Sequence, residues 1–306
     1  RALTLAPERL HFAAHSHHLW PDASFEAQTQ AWIDANAHAD RKWDLVFGQV
    51  IPEAQAHVGR ELNLPSPDSV VFSSNTHDFL LRIFSGFERR PVRILSTDGE
   101  FHSFRRQADR WVETGEALVT RVPLEPFSSF GERFLQAAEQ GGHDWIVVSH
   151  VFFRTGQVFD RFEALAELAR PEGPWVLIDG YHGFMATPTD LSAVADRIFY
   201  VAGGYKYAMA GEGACFLHAP DGFAPRPVVT GWFSEFGDLS GKYRDVNMRS
   251  LRLSLRNPDF TTSKRIAAAI NDFMGADTAE PTDPATVTLQ IPARYTGNMI
   301  RLVTEI

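Results

Sequence analysis

From Ser69 to His218 the chain alternates short apolar runs with longer amphipathic stretches, and this constrains its fold more than any other feature. The runs are too short for helices and rich in β-branched and aromatic residues, which reads as buried strand. Strands are expected at Val70–Phe72, Val92–Ser96, Ala117–Val122, Trp145–Ser149, Trp175–Ile178, Arg197–Ala202 and Ala214–Leu217. Between them the spacing predicts helices near Thr76–Phe87, Ser103–Thr114, Phe130–Gln140 and Arg161–Ala169. Strand and helix in turn imply an α/β fold with a mostly parallel central sheet and helices on both faces. Such sheets present ligands at the carboxyl ends of their strands.

Two of those ends carry chemistry. Trp175–Ile178 ends on Asp179, and Ile198–Ala202 stops at Gly203-Gly204 before Tyr205-Lys206-Tyr207. Gly211-Glu212-Gly213 then breaks the chain ahead of the next run. Taken singly, an Asp after a strand is usually a cap or turn former, and a loop Lys is usually a solvated charge. Taken together, an amine and a carboxylate on neighbouring strand ends suit a Schiff-base cofactor, one holding its aldehyde and the other keeping its pyridine nitrogen protonated. This conjunction, with His182 three residues after Asp179, resembles the cofactor segment of class V aminotransferase-like pyridoxal phosphate enzymes, and within them the kynureninase branch.

The resemblance implies fold type I with a small C-terminal domain, and roles for particular residues. Lys206 would hold the cofactor and move the substrate α-proton, Asp179 would face the ring nitrogen, and His182 would steady Asp179 or contact the ring oxygen side. Tyr205 fits a phosphate or general-acid role. Ser73-Ser74-Asn75-Thr76 opens a helix, where backbone N–H groups hold phosphate well, so Asn75 and Thr76 are expected there, although a plain cap is the commoner use of such residues. Phe101 matches the aromatic residue that stacks on the pyridine ring, while Phe104 stands where the pattern has an acid. Ser149 is expected on the cofactor side, and Arg154 is either a substrate anion contact or merely exposed. His15, in the segment Leu10–Pro21, is expected to face substrate. A metal reading of His15, His17 and His18 lacks acidic or thiol companions at ligand spacing, so no metal is expected.

Further on, Gly231-Trp232 and Asn257-Pro258 resemble segments that border the kynureninase site. Trp232 would serve cofactor and substrate, and Asn257 would reach the cofactor across a homodimer with a shared active site. Arg301, in Asn298-Met299-Ile300-Arg301, would grip the substrate carboxylate. Trp232, Phe101 and Phe104 would wall an aryl-preferring pocket. The expected organisation is an N-terminal segment and helices over 1–60, a large cofactor domain over 61–245 and an abbreviated small domain over 246–306. Hydrolysis of an aryl-keto amino acid with release of alanine is the activity implied; class V transamination and cofactor binding with little turnover are the alternatives.

Composition narrows the rest. At 306 residues, 44% hydrophobic and 22% charged, the chain can bury a sizeable core. Its net charge of -9 disfavours nonspecific nucleic-acid binding. No apolar run approaches a membrane span and no signal-peptide core is evident, so a cytoplasmic protein with no membrane partner is expected, and its substrate is expected to be a small molecule, an amino acid. The single cysteine, Cys215, excludes an intramolecular disulfide and lies in an apolar run, which disfavours a desulfurase relying on a mobile-loop thiol.

Overall fold

The computed structural model describes residues 8, 10, 12–223, 250–254, 259–275 and 277–290. By its internal contacts the chain divides into two compact units, Arg1–Ser234 and Glu235–Ile306.

The first unit is built on seven strands: β1 Val70–Ser73, β2 Val92–Thr97, β3 Ala117–Val122, β4 Trp145–Ser149, β5 Trp175–Asp179, β6 Ile198–Gly203 and β7 Cys215–His218. They lie in the order β1-β7-β6-β5-β4-β2-β3, with only β7 running against the rest. All seven expected strands are present. The sheet's centre is made by its most apolar runs, since β4 and β6 are buried along their whole length, as strands covered on both faces must be.

Helices α1 Asp22–His38 and α2 Ile51–Glu61 precede the sheet. α3 Thr76–Ser85, α4 His102–Glu113, α5 Phe127–Glu139 and the short α6 Phe162–Ala166 alternate with its strands. Aromatic side chains fill the space between helices and sheet: Phe84 stacks on Trp111 with ring centroids 3.8 Å apart, and Phe104 meets Trp145 edge-on at 5.8 Å. Phe104 is therefore core and not a pocket wall, because its position in the first turn of α4 faces the sheet. Trp32 and Trp43, aromatic residues in a helical stretch that the sequence alone reads as packing, are 69% and 45% exposed, and α1 buries no residue.

The second unit contains β8 Ser250–Ser254, α7 Phe260–Met274, β9 Ala279–Asp283 and β10 Thr286–Gln290, in an antiparallel sheet ordered β8-β10-β9. Asp259 caps α7 by accepting from Thr262 N at 2.7 Å, and Gly275 ends it at φ 62°. Residues 277–284, with prolines at 281 and 284, read as linker from the sequence alone, and they contain the strand β9 instead. Pro281 disguised it, but β9 is an edge strand, where a proline costs little. The strand expected at Met299–Val303 lies outside the described residues. Among the described residues no helix is long and apolar enough to cross a membrane.

Candidate active site

Because β7 alone is reversed, the carboxyl ends of β1, β4, β5 and β6 and the start of β7 lie along one edge of the sheet. Asp179, Gly203 and Cys215 are brought together there, with Ser73 leading into α3. The register is held beyond the strands by His150 N donating to Asp179 O, Gly180 N to Val201 O and Gly204 N to Ala214 O, each at 2.8 Å. Gly203 is required by a close approach: a Cβ there would lie 2.5 Å from Cε2 of Tyr181.

A cavity of about 640 Å³ opens at this edge. Asp179, Tyr181 and His182 line it from β5, Tyr205 and Lys206 from the turn after β6, and Asn75 and Thr76 from the start of α3. Phe101, Phe153, His15 and Cys215 are also part of the wall. The structure thus brings together His15, Asn75, Thr76, Phe101, Asp179, His182, Tyr205 and Lys206 of the residues expected from the sequence.

Electrostatics set the state of each. Lys206 is buried, which lowers its pKa, while the charge of Asp179 raises it. Its ammonium donates to the backbone carbonyl of His15. Asp179 is pushed up to about 6 by burial, against the Tyr181 amide, which donates to it at 3.0 Å, and the Lys206 charge. Among the described residues the two form no ion pair within 4 Å. His182 is lowered to about 4 by burial, then by Lys206 and His15, and is neutral at pH 7. The Phe101 and His182 ring centroids are 5.4 Å apart. Tyr205 exchanges a hydrogen bond with His17 Nδ1 at 3.0 Å, tying the N-terminal histidine segment to the lysine turn.

Asn75 is a working helix cap, its Oδ1 accepting from Asp78 N at 3.0 Å, besides lining the cavity. Ser149 is not among the lining residues, because its hydroxyl donates to the buried Glu100 at 2.6 Å. Trp232, Asn257 and Arg301 lie outside the described residues. Sequence reasoning passed over Glu100, which accepts from Thr97 Oγ1, Ser149 Oγ and Ser149 N and is pushed up to about 7, first by burial. Its only signal was an acid beside Phe101 at a strand-to-helix corner. Among the described residues no group of three or more His, Cys, Asp or Glu is placed to hold a metal ion.

A buried amine and a buried carboxylate that share a cavity without closing on each other leave room for an organic group between them. Phe101 offers it a ring face, and Asn75 and Thr76 offer a helix N-terminus for an anion. This donor set fits pyridoxal phosphate.

Comparison with known proteins divides the chain as its contacts do. The Aminotransferase class-V family matches residues 26–225, and the Flagellar P-ring protein family matches residues 241–306. The P-ring proteins of Nitrobacter hamburgensis and Nitrobacter winogradskyi are 64% identical over 59 residues, 19% of this chain, and the chain spans 16% of the length of each. Among solved structures, the cystine C-S lyase C-DES in complex with its reaction product cysteine persulfide aligns with TM-score 0.59 and 14% identity, covering 100% of this chain and 97% of that one. A cysteine desulfurase from Thermococcus onnurineus NA1 aligns with TM-score 0.58 and 15% identity, covering 99% and 94%. At such identity the likeness is one of fold. Asn257 and Arg301 fall in the P-ring match, beyond the end of the class V match, and so does the whole of the expected small domain over 246–306.

Proposed function

The chain belongs to the class V aminotransferase family, and from that premise we propose that it is a pyridoxal phosphate enzyme that moves the α-proton of an amino acid. The carrying observation is the placement of Lys206 and Asp179 in one cavity with no ion pair between them. Asn75 and Thr76 would hold the phosphate at the start of α3, Phe101 would cover one face of the ring, and Asp179 would face its nitrogen. Bound there, the cofactor would supply an electron sink for the bond broken at the α-carbon. Lys206 gives and takes the proton, and burial lowers its pKa, the direction that favours a base. Asp179, raised to about 6 by burial, would be held charged by the protonated ring nitrogen opposite it. His182, neutral, stands beside Asp179 without adding a competing charge. Tyr205, steadied by His17, closes the side toward the N-terminal segment.

Two finer readings follow. Hydrolytic cleavage of an aryl-keto amino acid with release of alanine is supported by the aromatic wall of Phe101 and Phe153 and by His15 at the cavity. The P-ring match over Asn257 and Arg301, and the burial of Phe104, weigh against it. Transamination needs only Lys206 and Asp179 and is the second reading. Cys215 lines the cavity from the start of β7, but at 3% exposure, with its Sγ 3.8 Å from the Tyr181 hydroxyl, it is a strand residue and not the mobile-loop thiol a desulfurase reading needs. The test is to add pyridoxal phosphate to the purified chain, reduce it with borohydride and map the adduct. Attachment at Lys206, and loss of the visible band in Lys206→Ala, are expected; attachment at another lysine would refute the proposal. Product analysis from L-kynurenine and 3-hydroxykynurenine then separates alanine release from keto-acid formation.

A further inference from the structure

A group of cationic side chains beside the aromatic wall is unused by the chemistry above. Phe101, Ser103 and Phe153 line the cavity, and His102, Arg105, Arg106 and Arg154 stand next to them. Arg105 Nη2 lies 3.1 Å from His102 Nδ1. The His102 and Phe153 rings meet edge-on with centroids 5.3 Å apart, and the Arg154 guanidinium is 5.6 Å from the Phe153 centroid. Burial, then the charges of Arg105, Arg106 and Arg154, lower the pKa of His102.

Among the described residues none of these three arginines is ion-paired with a carboxylate. The acids further along α4 are engaged elsewhere, Asp109 with Arg121 at 2.5 Å and Glu113 with Arg110 at 3.2 Å. Like charges brought together without a counterion repel, and in a chain of net charge -9 such a concentration is conspicuous. One guanidinium is enough to hold an α-carboxylate through two parallel hydrogen bonds. Three exceed that need.

We infer that the side chain of the amino-acid substrate ends in a second carboxylate, held beyond the Phe101–Phe153 wall by Arg154 and Arg105. His102, fixed by Arg105, shapes the subsite between the wall and the guanidinium groups. Arg154 is exposed and Arg105 half-buried, so the subsite faces the solvent side of the wall. The inference rests on the amino-acid reading above, and within it selects an acidic side chain over a neutral aryl-keto one.

Calorimetry tests it in two arms. With pyridoxal phosphate bound, L-glutamate and L-2-aminoadipate are titrated against L-glutamine. The acidic ligands should bind more than about tenfold tighter, and Arg154→Gln should reduce that ratio to within about twofold while leaving glutamine unchanged. Without cofactor, glutarate is titrated against its diamide. Glutarate should bind, weaken as salt is raised, and lose its affinity in Arg154→Gln and Arg105→Gln. Equal affinity for acid and amide, or an Arg154→Gln variant indistinguishable from the parent, overturns the inference. Failure of the chain to take up pyridoxal phosphate overturns the cofactor reading instead, and the glutarate arm then still decides whether the anion subsite exists.

Discussion

Ser149 donates its hydroxyl to Glu100 at 2.6 Å, from the end of one strand to the corner that presents Phe101. Thr97 adds a second donor at 2.8 Å and the Ser149 amide a third at 3.2 Å. Three hydrogen bonds satisfy a carboxyl that is 2% exposed, and they fasten the start of α4 to the strand beside Asp179.

This clamp makes stability depend on pH with a definite sign. Burial holds Glu100 at about 7 in the folded chain, above its ordinary 4.5. The folded state therefore binds the proton more tightly than the unfolded state does. The contribution is fully present below about pH 4.5 and is lost as pH rises through about 7. A shift of that size is worth on the order of 3 kcal/mol. Glu100→Gln keeps the neutral shape, so its melting temperature should gain on the parent's between pH 5.5 and pH 8. A difference that stays constant across that range would remove Glu100 as the titrating group.

Asp179 sets function against stability. Without a cation opposite it, its carboxylate is a buried charge raised to about 6. Asp179→Asn should therefore stabilise the cofactor-free chain at pH 7.5, since an amide oxygen can still accept from the Tyr181 amide. The same change should lower turnover about 100- to 1,000-fold, because the partner of the cofactor's ring nitrogen is lost. A variant that melts higher and turns over normally would show that Asp179 has no electrostatic part in the reaction.

These two acids show what the sequence discloses and what it hides. Asp179 was legible because a charged residue ends an uninterrupted apolar strand, and Lys206 because a glycine pair sets it off from the next. The central strands β4, β5 and β6 were legible for the same reason: burial on both faces leaves runs with no polar alternation. Glu100 was not, since its burial comes from Thr97 and from Ser149, 49 positions away. The outward turn of Trp32 was equally hidden, because a tryptophan on a helix carries no mark of whether its own chain covers it. Asn257 and Arg301 were read from short matches within residues that the P-ring family matches as a longer block, and four or five residues carry too little pattern to assign a family.

Gly203 tests how tightly the site is built. An alanine Cβ there would lie 2.5 Å from Cε2 of Tyr181 and 2.8 Å from its hydroxyl oxygen, and the ring is flanked by Lys206, whose Nζ is 5.8 Å from its centroid. Gly203→Ala should cost about 1–3 kcal/mol through overpacking and weaken uptake of pyridoxal phosphate. Adding Tyr181→Ala should restore part of the melting temperature, a non-additive outcome expected of residues in contact. If the two losses simply add, the clash is not what makes glycine necessary.

The exposed apolar residues of the N-terminal helices bear on assembly. Trp32 and Ile33 on α1 are 69% and 45% exposed, and Trp43 shortly after it 45%. Apolar surface grouped in this way marks a site of contact with another protein surface. The helix stands close to the site, since Gln28 Nε2 and the Trp20 ring come within 3.6 and 3.9 Å of the space beside Gly211 in the turn after Lys206. In the homodimer expected from the sequence, a second copy of the chain packed on this face would cover the tryptophans and stiffen the lysine turn together. Light scattering should then give twice the chain mass at micromolar concentration. Trp32→Ser combined with Ile33→Ser should move the population toward monomer, because each buried apolar side chain contributes roughly 1.5–3 kcal/mol. The same variant should take up pyridoxal phosphate more weakly, although neither residue lines the cavity. A parent chain that is monomeric at all concentrations while holding the cofactor at full occupancy would show that this face serves something other than a second copy.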